Sequence, residues 1–82
     1  MKNKRVSVAE KYLAESIIRE EGTTLPHVNL YSDYRQFCSR YGFPATSHQG
    51  LGRVFARVMP DVERSRIWNR RVVWKNVRLR VS

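Results

Sequence analysis

The stretch RSRIWNRRVVWKNVRLR, residues 64–80, decides how the rest of the chain is read. Its charge is that of a solvated tail, yet Ile67, Trp68, Val72, Val73, Trp74, Val77 and Leu79 are threaded between the arginines. β-Branched and aromatic residues in near alternation describe strands. Residues 66–68 and 72–81 form two of them, joined at Asn69-Arg70-Arg71. One face of the second strand then carries Val73, Lys75, Val77, Leu79 and Val81, and the other Val72, Trp74, Asn76, Arg78 and Arg80. Trp68 and Trp74 are expected to pack across the hairpin, an aromatic cross-strand pair adding about 0.2–1 kcal/mol. The rival use is stacking of one indole on an unpaired base.

Working upstream, a helix is expected over residues 47–59, with Pro60 closing it. Leu51, Val54, Phe55 and Val58, at i, i+3, i+4 and i+7, make its buried face. Gln49, Arg53 and Arg57 fall within about 80° of one another on the other side. Gly50 and Gly52 cost helix propensity, roughly 1 kcal/mol each relative to alanine. They also permit close approach by a packed helix or a nucleic-acid strand. A second helix over residues 28–41 carries Leu30, Tyr34, Phe37, Cys38 and Tyr41 as a stripe and stops at Gly42. "TTLP", residues 23–26, suits a short strand, because the residue before proline avoids the helical region. Ser7 with Glu10 reads as a capping box opening a first helix, which Gly22 is expected to end. Ala9, Leu13 and Ile17, with Val6 and Ser16, form its stripe; Val8 and Ile18 fall outside it.

The order is helix, short strand, helix, helix, strand, turn, strand. It predicts an α+β chain of the winged helix-turn-helix type: three helices, a short strand and a C-terminal β-hairpin wing. With 82 residues the chain has room for one domain, read as residues 7–82 behind a flexible basic tail at 1–6.

At this point the run TLPHVNLYSDYRQFCSRYGFPA…LGRVFARVMP resembles the DNA-binding domain of the RFX family of winged-helix transcription factors. The shared elements are Leu25-Pro26, Leu30-Tyr31 and Tyr34, with Cys38 where that family has a cysteine at the end of its second helix. Leu51-Gly52-Arg53 matches an aromatic-glycine-lysine start to the recognition helix, and Val58 and Pro60 also fit. Arg64 and Arg66 echo arginines entering the wing, and Val77-Arg78 its closing strand. The likeness covers about residues 12–80. The same pattern is similar to the winged helix that ends many phage and viral primase-helicases. The loop before the third helix is about one residue longer than in the RFX pattern, and the turn at Asn69 is shorter than the glycine-containing wing. The resemblance implies duplex DNA as partner. In the RFX family the wing enters the major groove, whereas the commoner arrangement puts the third helix there.

Charge agrees with that partner. The net charge is +9. Residues 6–22 sum to −2, with Lys11 and Arg19 against Glu10, Glu15, Glu20 and Glu21. Residues 46–82 sum to +7, with nine basic residues against Asp61 and Glu63. A basic half of this kind is the footprint of a polyanion binder. The candidate DNA contacts are Ser47, His48, Gln49, Arg53 and Arg57 on the third helix, and Arg64, Arg66, Asn69, Arg70, Arg71 and Lys75 on the hairpin. Arginine suits bidentate contact with guanine or phosphate, and a helix N-terminus near Ser47 suits a phosphate. The alternative is a protein-interaction module docking on an acidic partner.

Other chemistry is expected to be absent. Cys38, the single cysteine, reads as a small core residue and leaves no disulfide, which fits a reducing compartment. His27 and His48 with one cysteine make no zinc set. Asp61 and Glu63, a D-x-E, form at most a lone carboxylate pair. No phosphate-cradling glycine loop, nucleophile triad or cofactor motif occurs, so a non-catalytic chain without cofactor, metal or small-molecule substrate is expected. No apolar run approaches the ~20 residues of a membrane span. The expected setting is intracellular, in a bacterial cytoplasm (phage-encoded included) or a nucleus. The role expected there is transcription regulation or replication, as a homodimer or within a larger protein.

Overall fold

The computed structural model describes residues 8–67 and 71–80. The expected tail at 1–6, Ser7 of the capping box, Trp68, Asn69, Arg70 and Val81 lie outside the described residues. The elements are α1 (Val8–Ser16), β1 (Ile17–Pro26), α2 (His27–Tyr41), α3 (His48–Val58), β2 (Arg64–Ile67) and β3 (Arg71–Leu79). They make a small α+β fold of three helices and a three-stranded antiparallel sheet, ordered β1-β3-β2. No helix among the described residues is long and apolar enough to cross a membrane.

α2 and α3 lie where their punctuation puts them. Gly42 closes α2 in the left-handed conformation (φ 75°), its N–H donating to the Cys38 carbonyl. Ser47 caps α3, its Oγ accepting the Gly50 N–H at 2.9 Å. The intervening loop is pinned to α2: Tyr31 donates to the Thr46 carbonyl (2.9 Å), and the Thr46 N–H donates to the Tyr34 hydroxyl (3.0 Å). Leu30, Tyr34 and Cys38 of α2 and Leu51 and Phe55 of α3 are buried. Tyr41, expected on the α2 stripe, is instead 59% exposed at the end of α2.

The first helix is shorter than expected. It ends at Ser16, and Ile17 and Ile18 pair with Leu79 and Arg78 as the start of β1. Paired β-branched residues favour the pleated sheet over a further helical turn. Gly22 is therefore no helix cap. Residues 20–23 bulge out of β1 opposite the single residue Asn76, between the Arg19–Val77 and Thr24–Lys75 pairs. Gly22 (φ 91°) and Asn76 (φ 62°) both take positive φ, and the Gly22 N–H donates to Asn76 Oδ1 at 2.9 Å.

That bulge overturns the expected faces of β3. Strict alternation would put Trp74 and Val77 on opposite sides. The left-handed turn at Asn76 switches the strand over, and both enter the core. They join Ala9, Tyr12 and Leu13 of α1, Leu25 of β1 and the buried faces of α2 and α3. Tyr12 also ties α1 to α2 by donating to Asp33 at 2.6 Å, and burial together with that carboxylate pushes its hydroxyl pKa well above the ordinary value. The strands start early: β2 begins at Arg64, and Arg71, expected in the turn, pairs with Ile67 inside the ladder.

Candidate functional site: a cationic cleft between α3 and the ribbon

Trp74 sets the geometry. Its indole stacks on Phe55 of α3 (centroids 4.0 Å apart, planes 14° apart), which joins β3 to that helix. Arg64 stands opposite Trp74 in the ladder and Arg66 opposite Val72. Directly paired residues share a face, as do residues two apart on one strand. Arg64 and Arg66 therefore belong to the ribbon face that carries Trp74. At 1% exposure Trp74 has no free ring face for a base; its expected pairing with Trp68 lies outside the described residues.

Between helix and ribbon runs a cleft of about 380 Å³, lined by His48, Gln49, Gly52 and Arg53 from α3, Arg64 from β2, and Val72 and Trp74 from β3, with His27 as floor. An adjoining cleft of about 300 Å³ shares His27, His48 and Val72 and adds Val28 and Arg71. Among the described residues neither lining contains a carboxylate. Arg53, Arg64, Arg66 and Arg71 are exposed, and none forms an ion pair with a carboxylate among the described residues.

The remaining expected contacts divide differently. Arg57 donates to Glu10 of α1, so the last turn of α3 faces the first helix. Lys75 lies 3.9 Å from Glu63, beyond the cleft. Two further cations are held the same way, Arg19 by Asp61 and Arg78 by Glu20. Asp61, fully exposed, is drawn below the ordinary carboxylate pKa by its hydrogen bond from Arg19. Ser47 spends its Oγ on the helix cap, while His48 and Gln49 are exposed at the cleft. Asn69 and Arg70 lie outside the described residues.

Of the two glycines of α3, Gly50 is held to its size by packing, whereas Gly52 is not. A Cβ at Gly50 would lie 2.5 Å from Thr46 Oγ1, and one at Gly52 would lie 3.6 Å from the His27 ring.

His27 is the residue that sequence reasoning missed. It is buried, and both ring nitrogens are engaged: Nε2 lies 2.9 Å from the His48 carbonyl, and Nδ1 accepts the Trp74 indole N–H at 3.1 Å. An acceptor at Nδ1 assigns the proton to Nε2 and the ring to its neutral form. Desolvation lowers its pKa below the ordinary 6.5, with the electrostatic influence of His48 and Arg64 acting the same way against the hydrogen bond to the His48 carbonyl. The His27 and His48 rings lie 4.4 Å apart, edge to face. With both His27 nitrogens occupied, the pair has one imidazole fewer for a metal, and no group of three or more metal-ligating side chains occurs among the described residues.

No protein-family model and no curated protein sequence matches the chain.

Proposed function

We propose that this chain is a non-catalytic, double-stranded DNA-binding domain of the winged helix-turn-helix type, acting in transcription regulation or replication. α2 and α3 make the helix-turn-helix, α3 is the recognition helix, and the β2–β3 ribbon is the wing. The element order and the sheet order β1-β3-β2 suit that architecture. The observation that carries the reading is the segregation of charge. Three exposed arginines from three elements, Arg53, Arg64 and Arg71, line clefts that hold no carboxylate among the described residues, and Arg66 stands on the same ribbon face as Arg64. A phosphate backbone is the polyanion that such a ridge fits, because each neutralised phosphate releases a counterion. Gln49 and Arg53, on the first turns of α3, are the candidates for base edges; Arg64, Arg66 and Arg71 are the candidates for phosphates.

The test is fluorescence anisotropy with a labelled duplex of mixed sequence at low salt, in competition with single-stranded DNA and RNA of equal length. Preferential binding of the duplex, weakening steeply with salt, is the expected outcome. Failure of the duplex to bind at low salt, with recovery of an acidic protein on an affinity column, would hand the same ridge to a protein partner.

A further inference from the structure

His27 opens α2, is wedged under the first turn of α3 and touches the ribbon, so one side chain joins the two walls of the cleft. Through Nε2–H it holds the carbonyl of His48, the first residue of α3. At Nδ1 it holds the indole of Trp74, on which α3 also leans through Phe55. The two bonds have opposite polarity, one given and one received. Only the neutral Nε2–H tautomer makes both, since imidazolium has two donors and no acceptor.

We propose that neutral His27 is a positioning residue that latches the first turn of α3 to the ribbon, and that a proton on its Nδ1 releases the latch and weakens binding in the cleft. The proton takes the lone pair that accepts the Trp74 N–H, leaving two donors face to face. The Trp74 N–H then loses its acceptor inside the core, at a site too buried for water to replace it. The charge finds no compensation nearby. α3 presents His48 and Arg53 to it, β2 presents Arg64, and β3 presents Trp74 with Arg71 in the adjoining cleft; among the described residues no carboxylate lines either space. Burial, which holds the ring's pKa below 6.5, agrees with this picture. The consequence for DNA rests on the function proposed above; the latch itself does not.

The experiment has two arms. In the first, the free 15N-labelled protein is titrated from about pH 7.5 to about pH 5.5, with Trp68→Phe identifying the Trp74 indole. The expected result is one transition, centred below the ordinary histidine value, that moves the Trp74 indole proton and the Gln49 and Gly52 amides together and vanishes in H27Q. Stationary resonances, or an unchanged transition in H27Q, overturn the latch. Should H27Q fail to fold, W74F decides: deleting the donor must raise the pH at which the His27 ring titrates, and an unshifted ring overturns the latch equally. In the second arm, duplex affinity is followed over the same range at constant ionic strength in H48Q, which removes the exposed imidazole at the cleft. Kd is expected to rise several-fold, by no more than about tenfold per pH unit because one proton is taken up, and to become flat in H27Q/H48Q. A latch that titrates while Kd stays level overturns the coupling. A duplex that fails to bind at neutral pH sinks the DNA reading and leaves the first arm to judge the latch.

Discussion

Replacing Arg53 and Arg64 by alanine should change the salt dependence of duplex binding, while replacing Arg57 and Lys75 should not. The four residues are equivalent as charges, and the structure alone separates them. Arg53 and Arg64 come from different elements and line one cleft without a carboxylate. Arg57 and Lys75 are drawn toward Glu10 and Glu63. If Arg53, Arg64, Arg66 and Arg71 each neutralise one phosphate, log K falls with log salt at a slope of about −3.6; removing two contacts leaves about −1.8. Between 50 and 200 mM salt, that is a loss of affinity of roughly 140-fold for the parent and roughly 12-fold for R53A/R64A. Contacts from residues outside the described segments add equally to both, so the slope difference of about 1.8 survives them. All four side chains are exposed or half-exposed, where truncation shifts stability by about 0.5 kcal/mol or less, so folding does not confound the comparison. The assay is anisotropy at several salt concentrations for parent, R53A/R64A and R57A/K75A. An equal flattening by both pairs would mean that the cleft has no special standing, and the proposed interface would fall.

Other consequences are thermodynamic. Because the folded pKa of His27 is lowered, the unfolded chain takes up its proton first. The residue's full contribution is therefore present above the ordinary pKa of 6.5 and declines as pH falls below it, by at most about 1.4 kcal/mol per pH unit until the folded form titrates. Urea unfolding midpoints between about pH 7.5 and about pH 5.5 should fall in the parent, and by less in H27Q. Trp74→Phe keeps the stack on Phe55 but removes the donor to His27; a loss of about 2–3 kcal/mol is expected from the smaller ring and the unpaired acceptor, measured by urea melts. Gly50→Ala and Gly52→Ala should have opposite signs. The first drives a methyl to within 2.5 Å of Thr46 Oγ1 and 3.1 Å of the capping Ser47 Oγ, and should destabilise by about 1 kcal/mol. The second adds ordinary contact with His27 at 3.6 Å and should gain about 0.5–1 kcal/mol of helix propensity.

α2 and α3 were legible because their ends are written locally: Pro26 and Gly42 bracket one helix, Ser47 and Pro60 the other. The end of α1 was not, because Ile17 continues the spacing of Ala9 and Leu13 and serves equally as a helical or a strand residue. What decides it is pairing with Leu79, more than sixty positions away. The faces of β3 failed for a similar reason. Alternation is a local rule, and the switch that sends both Trp74 and Val77 inward depends on a bulge contributed by another strand. His27 carried no signal at all. Its partners, His48 and Trp74, belong to other elements, and only the packed fold brings the three together.

The candidate site was visible as a surplus of arginine but not as a place, and the difference lies in where the carboxylates go. Glu10 meets Arg57 across the α1–α3 contact, Glu20 meets Arg78 across the β1–β3 ladder, Asp61 meets Arg19, and Glu63 lies beside Lys75. These pairs are largely exposed and screened by solvent, so they do little to hold the fold together. Their effect is on the field. Glu10 and Glu20 from the first part of the chain and Glu63 from the last draw off Arg57, Arg78 and Lys75, while the cleft beside Trp74 receives no acid among the described residues. A sequence excess spread over the C-terminal half thus becomes a potential concentrated at one groove between α3 and the ribbon. Field lines focused in such a groove raise the local concentration of a polyanion and speed its capture far more than the same charges spread evenly over the surface.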